Sequence, residues 1–131
     1  VVLGSGVNAA GNLVTCNDHG AIVSPVIPGP GADMIGEVLN VNTIRTKVAG
    51  QETVGSMTVA NNKGILAHPD ISAEEAEKIA ELMQVPVMVG TVCFGSPYVG
   101  AGCVASNLDA LVGSGSTGPE LNRIEDALGL I

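Results

Sequence analysis

Three stretches of the chain repeat one another at a nearly constant offset. Gly11-Asn12-Leu13-Val14-Thr15-Cys16-Asn17-Asp18-His19-Gly20-Ala21-Ile22-Val23-Ser24-Pro25 is followed by Gly55-Ser56-Met57-Thr58-Val59-Ala60-Asn61-Asn62-Lys63-Gly64-Ile65-Leu66-Ala67-His68-Pro69. Gly100-Ala101-Gly102-Cys103-Val104-Ala105-Ser106-Asn107-Leu108-Asp109-Ala110-Leu111-Val112-Gly113 is the third. The leading glycines lie 44 and then 45 residues apart. A period of that size marks an array of supersecondary units, each too small to bury its apolar face alone. The 131 residues suffice for one compact domain built from such units.

Each unit reads as strand, turn, strand, helix, strand. The turns are Asn17-Asp18-His19-Gly20, Asn61-Asn62-Lys63-Gly64 and Ser106-Asn107-Leu108-Asp109. They are rich in residues that tolerate positive φ, the mark of hairpin turns. The returning strands Ile22-Val23, Ile65-Leu66 and Leu111-Val112 are expected to be buried on both faces. Helices follow. Ser72 with Glu75, and Thr117 with Glu120, are capping boxes, and Pro119 fits a first turn. The inward stripes are Ala76, Ile79, Leu82 and Met83 in the second unit, and Leu121, Ile124 and Leu128 in the third. Gly129 is placed to end the last helix. In the first unit Met34, Ile35, Val38 and Leu39 form the stripe, interrupted by Gly36.

Val41 to Val48 and Val85 to Val92 are the expected closing strands. The third unit lacks one. Val1-Val2-Leu3 reads as the trailing strand of a preceding unit and can fill that vacancy, leaving fewer open sheet edges. The expected division of this single repeat domain (1–131) is therefore a trailing strand at 1–6 and units at 7–48, 49–95 and 96–131.

The charge pattern narrows the function classes. Net charge is −8. Binding nucleic acid directly needs Lys and Arg facing phosphate, so a sequence-specific nucleic-acid role is not expected. Glu74, Glu75, Glu77 and Glu81 share one helix, and Glu120, Glu125 and Asp126 another. The hairpins are nearly neutral, which suits a protein partner. No apolar run is long enough for a membrane span. Cys16, Cys93 and Cys103 form no CxxC, fit a reducing compartment such as the cytoplasm, and are expected as buried small hydrophobes.

Several motifs resemble chemistry without completing it. Gly113-Ser114-Gly115-Ser116-Thr117-Gly118 is a GxGxxG between a strand and a helix. The dinucleotide reading also needs a following strand with an acidic residue, for which there is no room. His19 and His68 occupy different positions in their units and lack ligand spacing, so no metal or other cofactor is implied. Cys103 or Cys93 with His68 as base would be a nucleophilic pair. The carboxylates lie mostly on helices, away from the cysteines, so an enzyme is not expected. The pairs Gly11-Asn12, Gly55-Ser56 and Gly100-Ala101 open each first strand at the same place. Either glycine merely eases the turn into the strand, or the pairs form a rim of small neutral residues that a large partner approaches.

The stretch Gly11 to Asp18, the runs Val54-Gly55-Ser56, Gly64-Ile65-Leu66-Ala67-His68-Pro69 and Gln84-Val85-Pro86-Val87, and Thr117 to Leu121 with Ile124 to Ile131 resemble archaeal and eukaryotic translation initiation factor 6. The resemblance extends over the whole chain and is closest to archaeal members at its C-terminal end. It implies an α/β fold of the pentein type, a β/α propeller of five units around a pseudo-symmetry axis, of which this chain resembles the last three. It also implies a factor that binds the intersubunit face of the large ribosomal subunit, at a ribosomal protein near the sarcin–ricin loop. There it prevents joining with the small subunit and accompanies subunit biogenesis. The rim residues matching the family are Gly11, Asn12, Gly55, Ser56, Gly100 and Ala101. Other penteins modify guanidino groups, but no matching catalytic motif is present here. Three units alone imply either self-association, pairing with missing repeats, or a truncated or engineered scaffold without ribosomal activity.

Overall fold

A computed structural model describes residues 2–3 and 6–131. It is a mixed α/β structure. The first block runs α1 (Ala10–Leu13), β1 (Val14–Cys16), β2 (Gly20–Val23), α2 (Gly29–Leu39), β3 (Asn42–Arg45). The second runs α3 (Val54–Met57), β4 (Thr58–Ala60), β5 (Ile65–Ala67), α4 (Ala73–Met83), β6 (Val87–Val89). The third runs α5 (Val99–Gly102), β7 (Cys103–Ala105), β8 (Ala110–Val112), α6 (Gly118–Leu128). In the first sheet β1 is antiparallel to β2, with Val14 facing Val23, and β2 is parallel to β3, with Ile22 facing Ile44. The second sheet repeats that topology, and the third is the hairpin β7–β8 alone.

The hairpin turns form where expected, by a different device. None of their residues has positive φ among the described residues. Instead Asn17 Oδ1 accepts from the His19 and Gly20 amides (2.9 and 3.0 Å). Asn61 Oδ1 accepts from Lys63 and Gly64 (2.8 and 3.0 Å). Ser106 Oγ does the same for Leu108 and Asp109, both at 3.1 Å. These are side-chain-closed turns. Both capping boxes are present, at Ser72–Glu75 and Thr117–Glu120, and Gly129 ends α6 at φ 61°.

The core lies mainly at the junctions between blocks. Ile22 of the first hairpin packs with Val54, Met57, Ile79 and Met83 of the second block. Leu66 of the second hairpin packs with Val99, Ile124 and Leu128 of the third. Each of α4 and α6 therefore lies on the hairpin of the block before it. Gly36, which interrupts the α2 stripe, has a positional reason. A Cβ there would lie 3.0 Å from the Val41 carbonyl and 3.1 Å from Thr43 Cγ2.

Five expectations need correcting. The returning strand Leu111-Val112 is not buried on both faces, since Leu111 is 78% exposed. The closing strands are shorter than Val41–Val48 and Val85–Val92. Val48 and Val92 instead form bridges to Gln51 and Ser96 across tight turns. Those turns use left-handed residues Ala49, Gly50, Cys93, Phe94 and Gly95, which end the ladder. Val2 and Leu3 belong to no strand, while Val1, Gly4 and Ser5 of the expected 1–6 strand lie outside the described residues. Leu3 packs against the first block's own cluster of Leu13, Val23, Ile27 and Ile35, so it does not complete the third sheet. Finally, a one-turn helix precedes the first strand of every block.

Candidate functional site

That short helix holds the glycine pairs. Gly11 and Asn12 lie in α1, Gly55 and Ser56 in α3, Gly100 and Ala101 in α5. The pairs therefore do not open the strands. The three helices pack side by side in a row, α1 on α3 and α3 on α5. The row brings all six residues together along one end of the sheets.

Glycine is there for close approach. A Cβ on Gly55 would strike the carbonyl of Gly11, and a Cβ on Gly100 would strike the carbonyls of Gly55 and Thr58. The contact is reinforced beneath the row, where Thr58 Oγ1 donates to the Val54 carbonyl (2.8 Å) and lies 2.7 Å from Thr15 Oγ1. The residues after the glycines face outward to different degrees. Asn12 and Ala101 are exposed. Ser56 is half-buried, and its hydroxyl donates to its own turn at the Thr53 carbonyl (2.8 Å). Of the two polar rim side chains, Asn12 is thus the more exposed.

The loop leading into α5 contains a feature that sequence reasoning missed. Cys93, Phe94 and Gly95 are consecutive left-handed residues, at φ 52°, 63° and 98°. Such a conformation costs a non-glycine residue about 1 kcal/mol or more. One carboxylate holds it. Glu120, 8% exposed, accepts from Thr91 Oγ1 (2.6 Å), the Phe94 amide (3.0 Å) and the Gly95 amide (2.9 Å). It also accepts from the Thr117 amide (2.9 Å), so the capping residue of α6 doubles as the clasp of the loop. Glu75 does the same in the second block, reaching the Ala49 amide at 3.1 Å. The loop turns the chain's only Phe outward, 82% exposed, beside the half-exposed Tyr98. The only signal for the clasp in the sequence is the capping-box spacing itself.

These donors, Thr91 first and then Thr117, Gly95 and Phe94, hold the Glu120 carboxyl at about 2, well below its ordinary 4.5. The folded state therefore keeps Glu120 ionised where the unfolded chain would protonate it. Stability from this group is complete above about pH 4.5 and is lost as pH falls from there towards 2. Thermal melts from neutral to acidic pH should show this loss. Glu120→Gln should be less stable at neutral pH and should show a shallower decline below pH 4.5. An unchanged acid limb in the variant would contradict the clasp.

The remaining candidates are structural. The Gly113–Gly118 segment links β8 to α6, and its Ser116 Oγ accepts from the Cys93 amide (2.9 Å). His68 is buried and accepts from the Asp70 amide through Nδ1 (2.9 Å), with its ring 5.9 Å from that of Tyr98. Cys103 is buried as expected, but Cys16 and Cys93 are exposed, because their positions fall at a strand end and in a loop. Burial, then the neighbouring Cys93, pushes the Cys103 thiol above its ordinary value, which disfavours a thiolate nucleophile. Among the described residues no group of three or more His, Cys, Asp or Glu side chains is placed to hold a metal ion. No helix among them is long and apolar enough to cross a membrane.

A family model described as the eIF-6 family matches residues 1–127. The chain is 54% identical to translation initiation factor 6 of Natronomonas pharaonis, over 100% of its own length and 59% of that protein's. It is 44% identical to translation initiation factor 6 of Haloquadratum walsbyi, over 95% of its own length and 55% of the other's. Against eukaryotic translation initiation factor 6 of Saccharomyces cerevisiae it is 40% identical, over 90% and 48%. The chain thus spans about half to three-fifths of the length of these relatives.

Proposed function

The chain belongs to the eIF-6 family, whose members are translation initiation factors and not enzymes, and on that premise we propose that it binds the large ribosomal subunit and keeps the small subunit from joining. The observation that carries this reading is the family match across residues 1–127. The mechanism is steric: a bound protein occupies the intersubunit face, and no bond is made or broken. A second role in large-subunit biogenesis, and a cytoplasmic location, belong to the same proposal. The three blocks, bounded at 7–48, 49–95 and 96–131, are three of the five units of a pentein ring.

The contact face is the row α1, α3, α5, with Gly11, Asn12, Gly55, Ser56, Gly100 and Ala101. Its partner is a ribosomal protein near the sarcin–ricin loop. Several features support this assignment. The glycines let the three helices of the row pack closely, and the row carries no charged side chain. The net charge of −8 disfavours ribosomal RNA as the main contact. Asn12→Arg places a long cation on the most exposed polar position of the row. It should lower co-sedimentation with purified archaeal large subunits at least tenfold while leaving the melting temperature unchanged. Equal pelleting of variant and wild type would sink the rim assignment. Pelleting with small subunits in preference to large would sink the function.

A second reading is a chain that keeps the fold without ribosomal activity. The exposed apolar side chains Val38 and Leu39 on α2 and Val104 and Leu111 on the third hairpin, outside the row, favour it. Its signature is wild-type melting with no pelleting at all.

A further inference from the structure

We propose that Phe94 and Tyr98 form an aromatic anchor at the edge of the row, and that it enters an apolar pocket on a protein of the large ribosomal subunit. The proposal rests on the ribosomal reading and adds a second contact to the rim residues.

The anchor occurs where the repeat breaks. Val41 and Val85 lie 44 residues apart, as do Val48 and Val92, whereas Gly55 and Gly100 lie 45 apart. The extra residue therefore falls between Val92 and Gly100, and the structure shows it in the turn. Val48 bridges Gln51 across two residues, Ala49 and Gly50, while Val92 bridges Ser96 across three, Cys93, Phe94 and Gly95. All five are left-handed. The shorter turn holds one non-glycine residue in that conformation and the longer turn two, so the insertion adds backbone strain. The clasp grows with it. Glu75 takes one amide of the short turn, that of Ala49. Glu120 takes two of the long turn, those of Phe94 and Gly95, together with the Thr91 hydroxyl. None of these bonds involves the Phe94 ring, which stays 82% exposed. The added strain yields no burial of that ring; its outcome is a phenyl group facing outward.

Tyr98, 49% exposed, is the N-cap of α5. Ala9 and Thr53 hold the same place on α1 and α3, and both are exposed. Tyr98 thus borders the rim directly, and the Phe94 turn leads into it. The place is open within a continuous array. The Ala49–Gly50 turn is followed by both the second and the third block, and a Cβ on Gly50 still meets nothing within 4 Å.

Outward aromatic side chains anchor protein interfaces by filling a pocket on the partner. They also stack on unpaired bases, but such sites combine the rings with cations that track the phosphates. No Lys or Arg occurs between Lys78 and Arg123, and no Asp or Glu between Glu81 and Asp109. This uncharged segment fits an apolar protein pocket and offers phosphate no cation.

Phe94→Gly removes both the ring and the left-handed cost. It should melt no lower than the wild type, yet pellet with purified archaeal large subunits about tenfold less. Phe94→Tyr keeps the ring and should pellet within about twofold of the wild type. Wild-type pelleting by Phe94→Gly would overturn the anchor and leave the ribosomal reading standing. A wild type that does not pellet would remove the reading beneath it. A melting temperature of Phe94→Gly well below the wild type would place the ring in the fold's own packing and overturn the anchor. Binding to protein-free large-subunit RNA that Phe94→Gly loses would overturn the protein partner in favour of base stacking.

Discussion

Asn61→Asp is expected to cost the fold about 4 kcal/mol. Asn61 is 5% exposed and makes four hydrogen bonds. Its Oδ1 closes its own turn by accepting from Lys63 and Gly64. Its Nδ2 donates across the junction to the Ser106 carbonyl (3.1 Å) and to the Leu128 carbonyl at the end of α6 (2.8 Å). Aspartate keeps the first half of that arrangement and inverts the second. It turns a carboxylate oxygen towards two carbonyl oxygens where water is excluded. For a domain of this size the loss corresponds to a fall in melting temperature of roughly 10–15 °C. Asn17→Asp should cost less, since Asn17 is only half-buried though it bonds in the same pattern to Asn61 and Met83. Urea melts of both variants would test this. A cost below about 1 kcal/mol at Asn61, the usual worth of a single hydrogen bond, would mean that apolar contact alone holds the junction.

Gly55→Val should destabilise by about 3 kcal/mol, because overpacking is costly when the neighbour cannot move. The obstacle is the backbone of Gly11 and Asn12, not the tip of a side chain. The contrast lies at the equivalent position one block earlier. A Cβ at Gly11 meets nothing within 4 Å, so Gly11→Ala should change stability by no more than about 0.5 kcal/mol. The pair separates two roles along one row, glycines that set the spacing and their neighbours that face outward. A Gly55→Val protein that melts with the wild type would refute the close-approach account of the rim.

The parts of the fold visible in the sequence are those whose cause is local. The 44- and 45-residue offsets set the order of elements. Ser72, Thr117 and Gly129 mark helix ends by chemistry that acts within one turn. The short helices α1, α3 and α5 were not visible, because four residues such as Val-Gly-Ser-Met cannot hold a helix unaided. They form because each is wedged against its neighbour. The turn asparagines were visible as turn residues, but their second arm reaches 44 to 67 residues away, which no local pattern encodes. Glu120 is similar: its capping partner is three residues off, its loop partners 25 to 29. The rim was legible as a recurring position. That its glycines serve packing, and that Ser56 is tied to its own turn, required the neighbouring blocks. Cys16 and Cys93 escaped the expectation of burial because that expectation describes the residue type and not the position.

Subunit joining is the most direct test of the central claim. Purified archaeal small and large subunits would be mixed under conditions that favour joining, with and without the chain, and resolved on a sucrose gradient. The account predicts that the joined peak falls as the chain is added, with the chain migrating alongside free large subunits. A joined peak that stays constant while the chain remains at the top of the gradient would contradict it.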